Sequence, residues 1–109
     1  MNRNEIFRIL NKIKNDREFS CYKIGLAGSY ARDEQNDGSD IDVVISTGNL
    51  TLSQMEKIKS EFPDLNVDVL QLDLLEEEDR ELDGFLIEMG LPANDHSVYK
   101  NVLQEVMWA

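Results

Sequence analysis

An α/β fold, with one small sheet of three or four strands backed by helices, is what the sequence predicts, and three observations lead there. Helix-period and strand-period segments alternate along the chain in the order αβαβαβαα. The length, 109 residues, suits a single domain with a real core and leaves no room for two. A composition of 41% hydrophobic and 30% charged residues is that of a globular chain. No internal repeat, linker or low-complexity segment divides it, so residues 1–109 are read as one domain.

Each element has a local cause. Ile6, Leu10 and Ile13, with Phe7 and Ile9, recur at helical spacing and predict a helix over about residues 4–17. "CYKIGLA" alternates Tyr22, Ile24 and Leu26 against Cys21, Lys23, Gly25 and Ala27, the period of a strand. Gly28 ends that strand, and Ser29 is placed to cap a short helical turn through Tyr30 and Ala31. "DEQNDGS" is loop by its Asn, Asp and Gly content. "DIDVVIS" is a second strand, its Ile41, Val43 and Ile45 on one face. "TLSQMEKIKSEF" predicts a helix with two nested capping-box signals, Thr51 to Gln54 and Ser53 to Glu56, stopped by Pro63. "NVDVLQL" is a third strand, and a helix follows from about Leu74 to Met89. Its stripe is Leu75, Leu82, Leu86 and Met89, ended by Gly90 and Pro92. Asp95 is placed to cap a last helix carrying Val98, Val102, Leu103 and Val106.

Charge narrows the possible partners. Eleven basic against 22 acidic residues leave a net charge of −11. Nucleic-acid binding draws on basic surface, and here the basic residues are scattered, so direct contact with DNA or RNA is disfavoured. A metal ion, a cationic ligand or a basic protein suits the charge better. The run "EEEDRELD", Glu76 to Asp83, reads most simply as a solvated helix face. No apolar run reaches the ~20 residues that span a bilayer, so no membrane association is expected. "MNRNEIFRILNKIKNDREF" lacks a signal peptide's apolar core, and Cys21 is the only cysteine. The expected location is the cytoplasm.

One stretch stands out chemically: "GSYARDEQNDGSDIDVV", Gly28 to Val44. Asp40 and Asp42, two residues apart at the start of a strand, project to the same face. Two carboxylates side by side repel each other unless something cationic lies between them. Asp68 sits in the middle of the next strand, between Val67 and Val69, where a charge needs a reason. A third carboxylate on a neighbouring strand makes an acidic pocket suited to divalent cations. Mg²⁺ prefers such hard oxygen ligands, commonly shared with substrate phosphates.

With these residues in view, the chain resembles the minimal nucleotidyltransferases of the DNA polymerase β-like superfamily. The resemblance rests on Gly28-Ser29, the following "YAR", "SDIDVV" and "VDVLQL", and covers roughly residues 20–72. It implies the superfamily's small mixed sheet backed by helices. It implies ATP as donor, adenylyl transfer as reaction and two Mg²⁺ ions as cofactors. Asp40 and Asp42 would bridge both ions, and Asp68 would hold the ion nearer the attacking hydroxyl. Gly28 and Ser29 would face the nucleotide's terminal phosphates. Arg32 would either add charge there or lie at the surface. The family usually has Gly where this chain has Asp33; that extra charge either weakens nucleotide binding or turns outward.

The acceptor is not in the motif. Stand-alone chains of this size resemble the antitoxin of modules paired with a helical HEPN ribonuclease toxin, whose tyrosine is adenylylated. A small-molecule adenylyltransferase, of the kind that modifies aminoglycosides, is the catalytic alternative. A docking-only antitoxin or binding module is the non-catalytic one. Tyr30 either lines the nucleotide pocket or packs beneath the loop. His96, the only histidine, is read as a surface or capping residue, Cys21 as a small buried one, and Trp108 as docked on the core or held for a partner.

Overall fold

A computed structural model of the chain describes residues 1–19, 22–46, 50–93 and 97–109. Helix α1 (Arg3–Lys14) is capped by the Asn2 side chain and buries Ile6, Leu10 and Ile13, the stripe its sequence predicts. A 3₁₀ turn (Arg17–Phe19) leads to β1 (Ile24–Ala27) and directly into the four-residue α2 (Gly28–Ala31). Strand β2 (Ile41–Ile45) follows the loop. Helix α3 (Leu52–Ser60) uses the first of the two predicted capping boxes, Thr51 with Gln54. Strand β3 (Val67–Gln71) passes straight into α4 (Leu72–Glu88), so that helix begins two residues before its predicted start. Helix α5 (Val98–Glu105) takes its cap from Ser97, while Asp95, the predicted cap, lies outside the described residues with Cys21 and His96. A short β4 (Met107–Trp108) closes the order.

The sheet is mixed, in the order β3-β2-β1-β4. β2 runs antiparallel to β1 and parallel to β3, the α3 connection supplying the crossover that a parallel pair requires. β4 pairs antiparallel with β1 at the other edge. The two faces differ. Ile41, Val43, Ile45, Ile24 and Leu26 join α1, Ile58 and Phe62 in the main core. Ala27 and Val44 form a smaller core with Leu72 and Val102, against which Leu75, Leu70 and Tyr99 pack. β2 is thus covered on both sides, with Asp42 as its one incompletely buried residue.

Two features of the fold escaped the periodic pattern. Met107 and Trp108 form a fourth strand that no alternation in the sequence marked. Gly25 makes that strand possible, because a Cβ there would lie 2.8 Å from the Val106 side chain and 2.9 Å from the Met107 carbonyl and the Trp108 ring. A glycine inside a strand marks this kind of close approach. Gly25→Ala should therefore unseat β4 and cost about 1–3 kcal/mol, the range for overpacking a filled site. Urea unfolding followed by fluorescence of Trp108, the only tryptophan, reads both effects; unchanged stability and emission would mean β4 is not seated on Gly25.

Candidate active site

The parity of β2 sets the site. Ile41, Val43 and Ile45 point into the main core, which turns Asp42 and Val44 to the face carrying α4 and α5. The parallel register places Asp42 directly opposite Asp68 and Val44 opposite Leu70. The two carboxylates therefore lie side by side at one end of the sheet, with Leu70 and Val44 walling the next rung. Asp40 precedes β2 and is exposed, as is Asp68, while Asp42 is half-buried.

Electrostatically, Asp42 bears the strain. Burial pushes its pKa up first, and the negative charges of Asp68, Asp40 and Glu105 push it further; Arg32 pulls it down. Asp33 is not among the described residues whose charge acts on it. Two carboxylates and a third from α5 thus converge their fields on one half-buried oxygen pair. Hard oxygens under mutual repulsion have the donor chemistry that Mg²⁺ takes. No group of three His, Cys, Asp or Glu side chains among the described residues is drawn in far enough to close around an ion. The donors match the metal in kind, and cation binding would have to draw them together.

Gly28 is tied to the same carboxylate. Its φ of +71° is a left-handed conformation that L side chains resist, and a Cβ there would overlap the Asp42 carboxylate. The glycine is thus needed to leave Asp42 its space, a reason beyond the phosphate approach that the motif suggests. Ser29 does not cap the turn: α2 starts at Gly28, with Ala27 in the cap position and no side-chain cap bond. The Ser29 carbonyl accepts from the Glu34 amide at 2.8 Å. Arg32 stands at the rim, its Nε donating to Glu34 at 3.0 Å and its Nη1 to Glu105 at 2.8 Å, which raises its pKa. Tyr30 is buried in the main core, so packing beneath the loop is its place.

Asp33, where the resembled family has glycine, has a φ of +58°, and no other non-glycine among the described residues has a positive φ. That is a conformation glycine adopts freely, and Asp is one of the few other residues that tolerate it. Glu105 is the contributor that the sequence reading missed. It lies near the end of α5, far in sequence from the motif, and only the packing of α5 brings it to Arg32 and into the field of Asp42.

A mixed four-stranded sheet carrying paired aspartates beside a Gly-Ser turn defines a nucleotidyltransferase-type domain. The family model described as "Nucleotidyltransferase domain" matches residues 6–103, and the chain belongs to that family. Among curated proteins, none matches the sequence closely enough to count as a relative. Two solved structures share the fold over 99% of this chain. One, a toxin–antitoxin with AMP-PNP, has 18% identity and a TM-score of 0.55, with 72% of its chain covered. The other is the toxin–antitoxin MntA-HpeT in a mutant form with two Asp-to-Glu changes at alternate positions. It has 17% identity and a TM-score of 0.53, with 71% of its chain covered.

Burial of Asp42 and the carboxylates around it give the metal-free protein one pH-dependent contribution to stability. Its folded pKa lies above the ordinary 3.8, so ionisation favours the unfolded chain. The folded state is unpenalised below pH 3.8 and loses stability as pH rises through the raised pKa. Asp42→Asn escapes that loss. Its melting temperature without metal should equal or exceed the wild type's at pH 7, and the difference should shrink on acidification. A paired, structural aspartate would instead lose about 3–5 kcal/mol on substitution. Gly28→Ala should destabilise by about 1–3 kcal/mol through overlap and positive φ, and Gly28→Ala with Asp42→Ala should recover part of it, which a double-mutant cycle measures.

Proposed function

We infer that the protein transfers AMP from ATP to a hydroxyl of a partner protein, with Mg²⁺, in the cytoplasm, and serves as the antitoxin of a toxin–antitoxin pair. The partner on this reading is a helical HEPN-type toxin and the acceptor one of its tyrosines. The observation that carries it is the side-by-side placement of Asp42 and Asp68, with Asp40 adjacent and Gly28 against Asp42. The fold neighbours add support: one holds AMP-PNP, and the other has two alternately placed aspartates altered.

In this reading Asp40, Asp42 and Asp68 would hold the Mg²⁺ ions, and Gly28 and Ser29 would receive the terminal phosphates. The chemistry that bound Mg²⁺ supplies is positive charge against the phosphoryl oxygens of the nucleotide. The partner hydroxyl oxygen forms a bond to the α-phosphorus as the bond to the leaving pyrophosphate breaks. The hydroxyl's proton would pass to Asp68, whose carboxylate is exposed at the site. Asp42, whose pKa is raised by burial and then by the neighbouring carboxylates, is the group whose charge a cation would most relieve. Arg32 would have to leave Glu34 or Glu105 to reach a phosphate, so its effect on nucleotide affinity should be smaller than that of Gly28.

Intact-mass spectrometry of the protein encoded beside this chain, after incubation with ATP and Mg²⁺, tests the reading. Added adenylyl units that Asp42→Asn reduces by about 10³-fold or more in rate support it. Binding without added mass would leave a docking-only antitoxin, and efficient labelling of an aminoglycoside would leave the small-molecule enzyme.

A further inference from the structure

Helix α4 carries a surface that neither the fold nor the proposed chemistry uses. Of its 17 residues only Leu72, at the start, is buried. Leu82, Phe85, Leu86 and Met89 follow at i, i+3, i+4 and i+7, one continuous helical face. Leu82, Phe85 and Met89 on that stripe are 42%, 54% and 61% exposed, and Leu91 just beyond is 51% exposed. The predicted stripe is thus real as a pattern, but only Leu75 of its four residues, with Leu72 before it, joins the smaller core. An apolar row of this length is ordinarily covered, and in a monomer it marks an interaction surface.

Charge says what covers it. The same helix holds eight acidic residues and one arginine, and that arginine is paired with Glu76 at 3.1 Å. Where α4 meets α5, a cavity of about 160 Å³ is walled by Leu75, Leu82, Val98 and Tyr99, with Glu78 and Asp79 in its lining. Among the described residues neither Glu78 nor Asp79 has a cationic partner. An apolar slot with two carboxylates in its wall suits the stem and head of an arginine or lysine. A second copy of this chain would bring its own −11 charge and repel. Nucleic acid and anionic membrane are repelled for the same reason.

We propose that the exposed α4 stripe, with the α4–α5 cavity at its edge, is the docking site for an amphipathic helix of a partner protein whose apolar face is rimmed by basic side chains, one of them seated between Glu78 and Asp79. The surface lies on the side of the sheet that carries Asp42 and Asp68, since α4 and α5 pack on Val44 and Ala27. Only its relation to transfer rests on the function inferred above; the docking itself does not.

The test uses the full chain, no nucleotide and a synthetic helical peptide with a leucine stripe flanked by arginines, beside its isostere with glutamate for arginine. Calorimetry should show binding of the arginine peptide alone, weakening with salt. Backbone chemical shifts should move around Leu82, Phe85 and Met89. Phe85→Ser, and separately Glu78→Gln with Asp79→Asn, should each weaken binding by about tenfold or more, with circular dichroism unchanged. Equal binding of both peptides, or a footprint away from α4, would overturn the proposal. Self-association in sedimentation that Phe85→Ser abolishes would overturn it too, giving the face to a second copy. Failed AMP transfer with intact peptide binding would count against the catalytic reading alone.

Discussion

The parallel pairing of β2 with β3, Asp42 opposite Asp68, is the constraint on which the rest of the structure depends. A strand buried on both faces has little tolerance for charge, yet β2 carries one at its second position. The alternation of Ile41, Val43 and Ile45 holds that charge in place. Shifting the strand by one residue would drive Asp42 into the main core and turn Ile41, Val43 and Ile45 out of it. The apolar core thus fixes the register, and the register delivers the carboxylates.

Local conformation serves the same position. Gly28 occupies a left-handed turn against the Asp42 carboxylate, so the Gly-Ser turn and the aspartate pair form one packed unit rather than two motifs. Asp33 continues the turn in a second left-handed conformation. Arg32, between them, is held by Glu34 and by Glu105 of α5. Such exposed ion pairs contribute little to stability, commonly below about 1 kcal/mol. Their consequence is positional, because the Arg32–Glu105 pair ties the rim of the candidate site to α5.

The acidity of the chain is unevenly distributed in its effects. Around Asp42 it raises a pKa and creates a demand for positive charge. Along α4 it surrounds apolar residues that the core does not reach. The helix keeps Leu72 and Leu75 on the sheet and carries the remainder of its stripe past the small core of Ala27, Val44 and Val102. The same acidic composition thus crowds carboxylates at one place and rims exposed apolar residues at another.

The sequence by itself determined most of the elements and marked the aspartates and the Gly-Ser turn of the candidate site. Period-2 and period-3.6 patterns identified three strands and the four long helices, because half-buried surfaces force those periods on the chain. The aspartate pair, the Gly-Ser turn and Asp68 were legible because local alternation alone puts each carboxylate on a definite face. What only the tertiary structure decided lies between elements distant in the chain. That Asp42 and Asp68 share a rung depends on the β2–β3 register. Gly25 was legible only as one residue of a strand; its contact with β4 needed the chain's end to return to β1. Glu105 had no local signal at all, since its field on Asp42 arises from the packing of α5. The α4 stripe shows the converse: its period promised burial, yet periodicity specifies which face of a helix is apolar and says nothing of whether a neighbour is there to cover it.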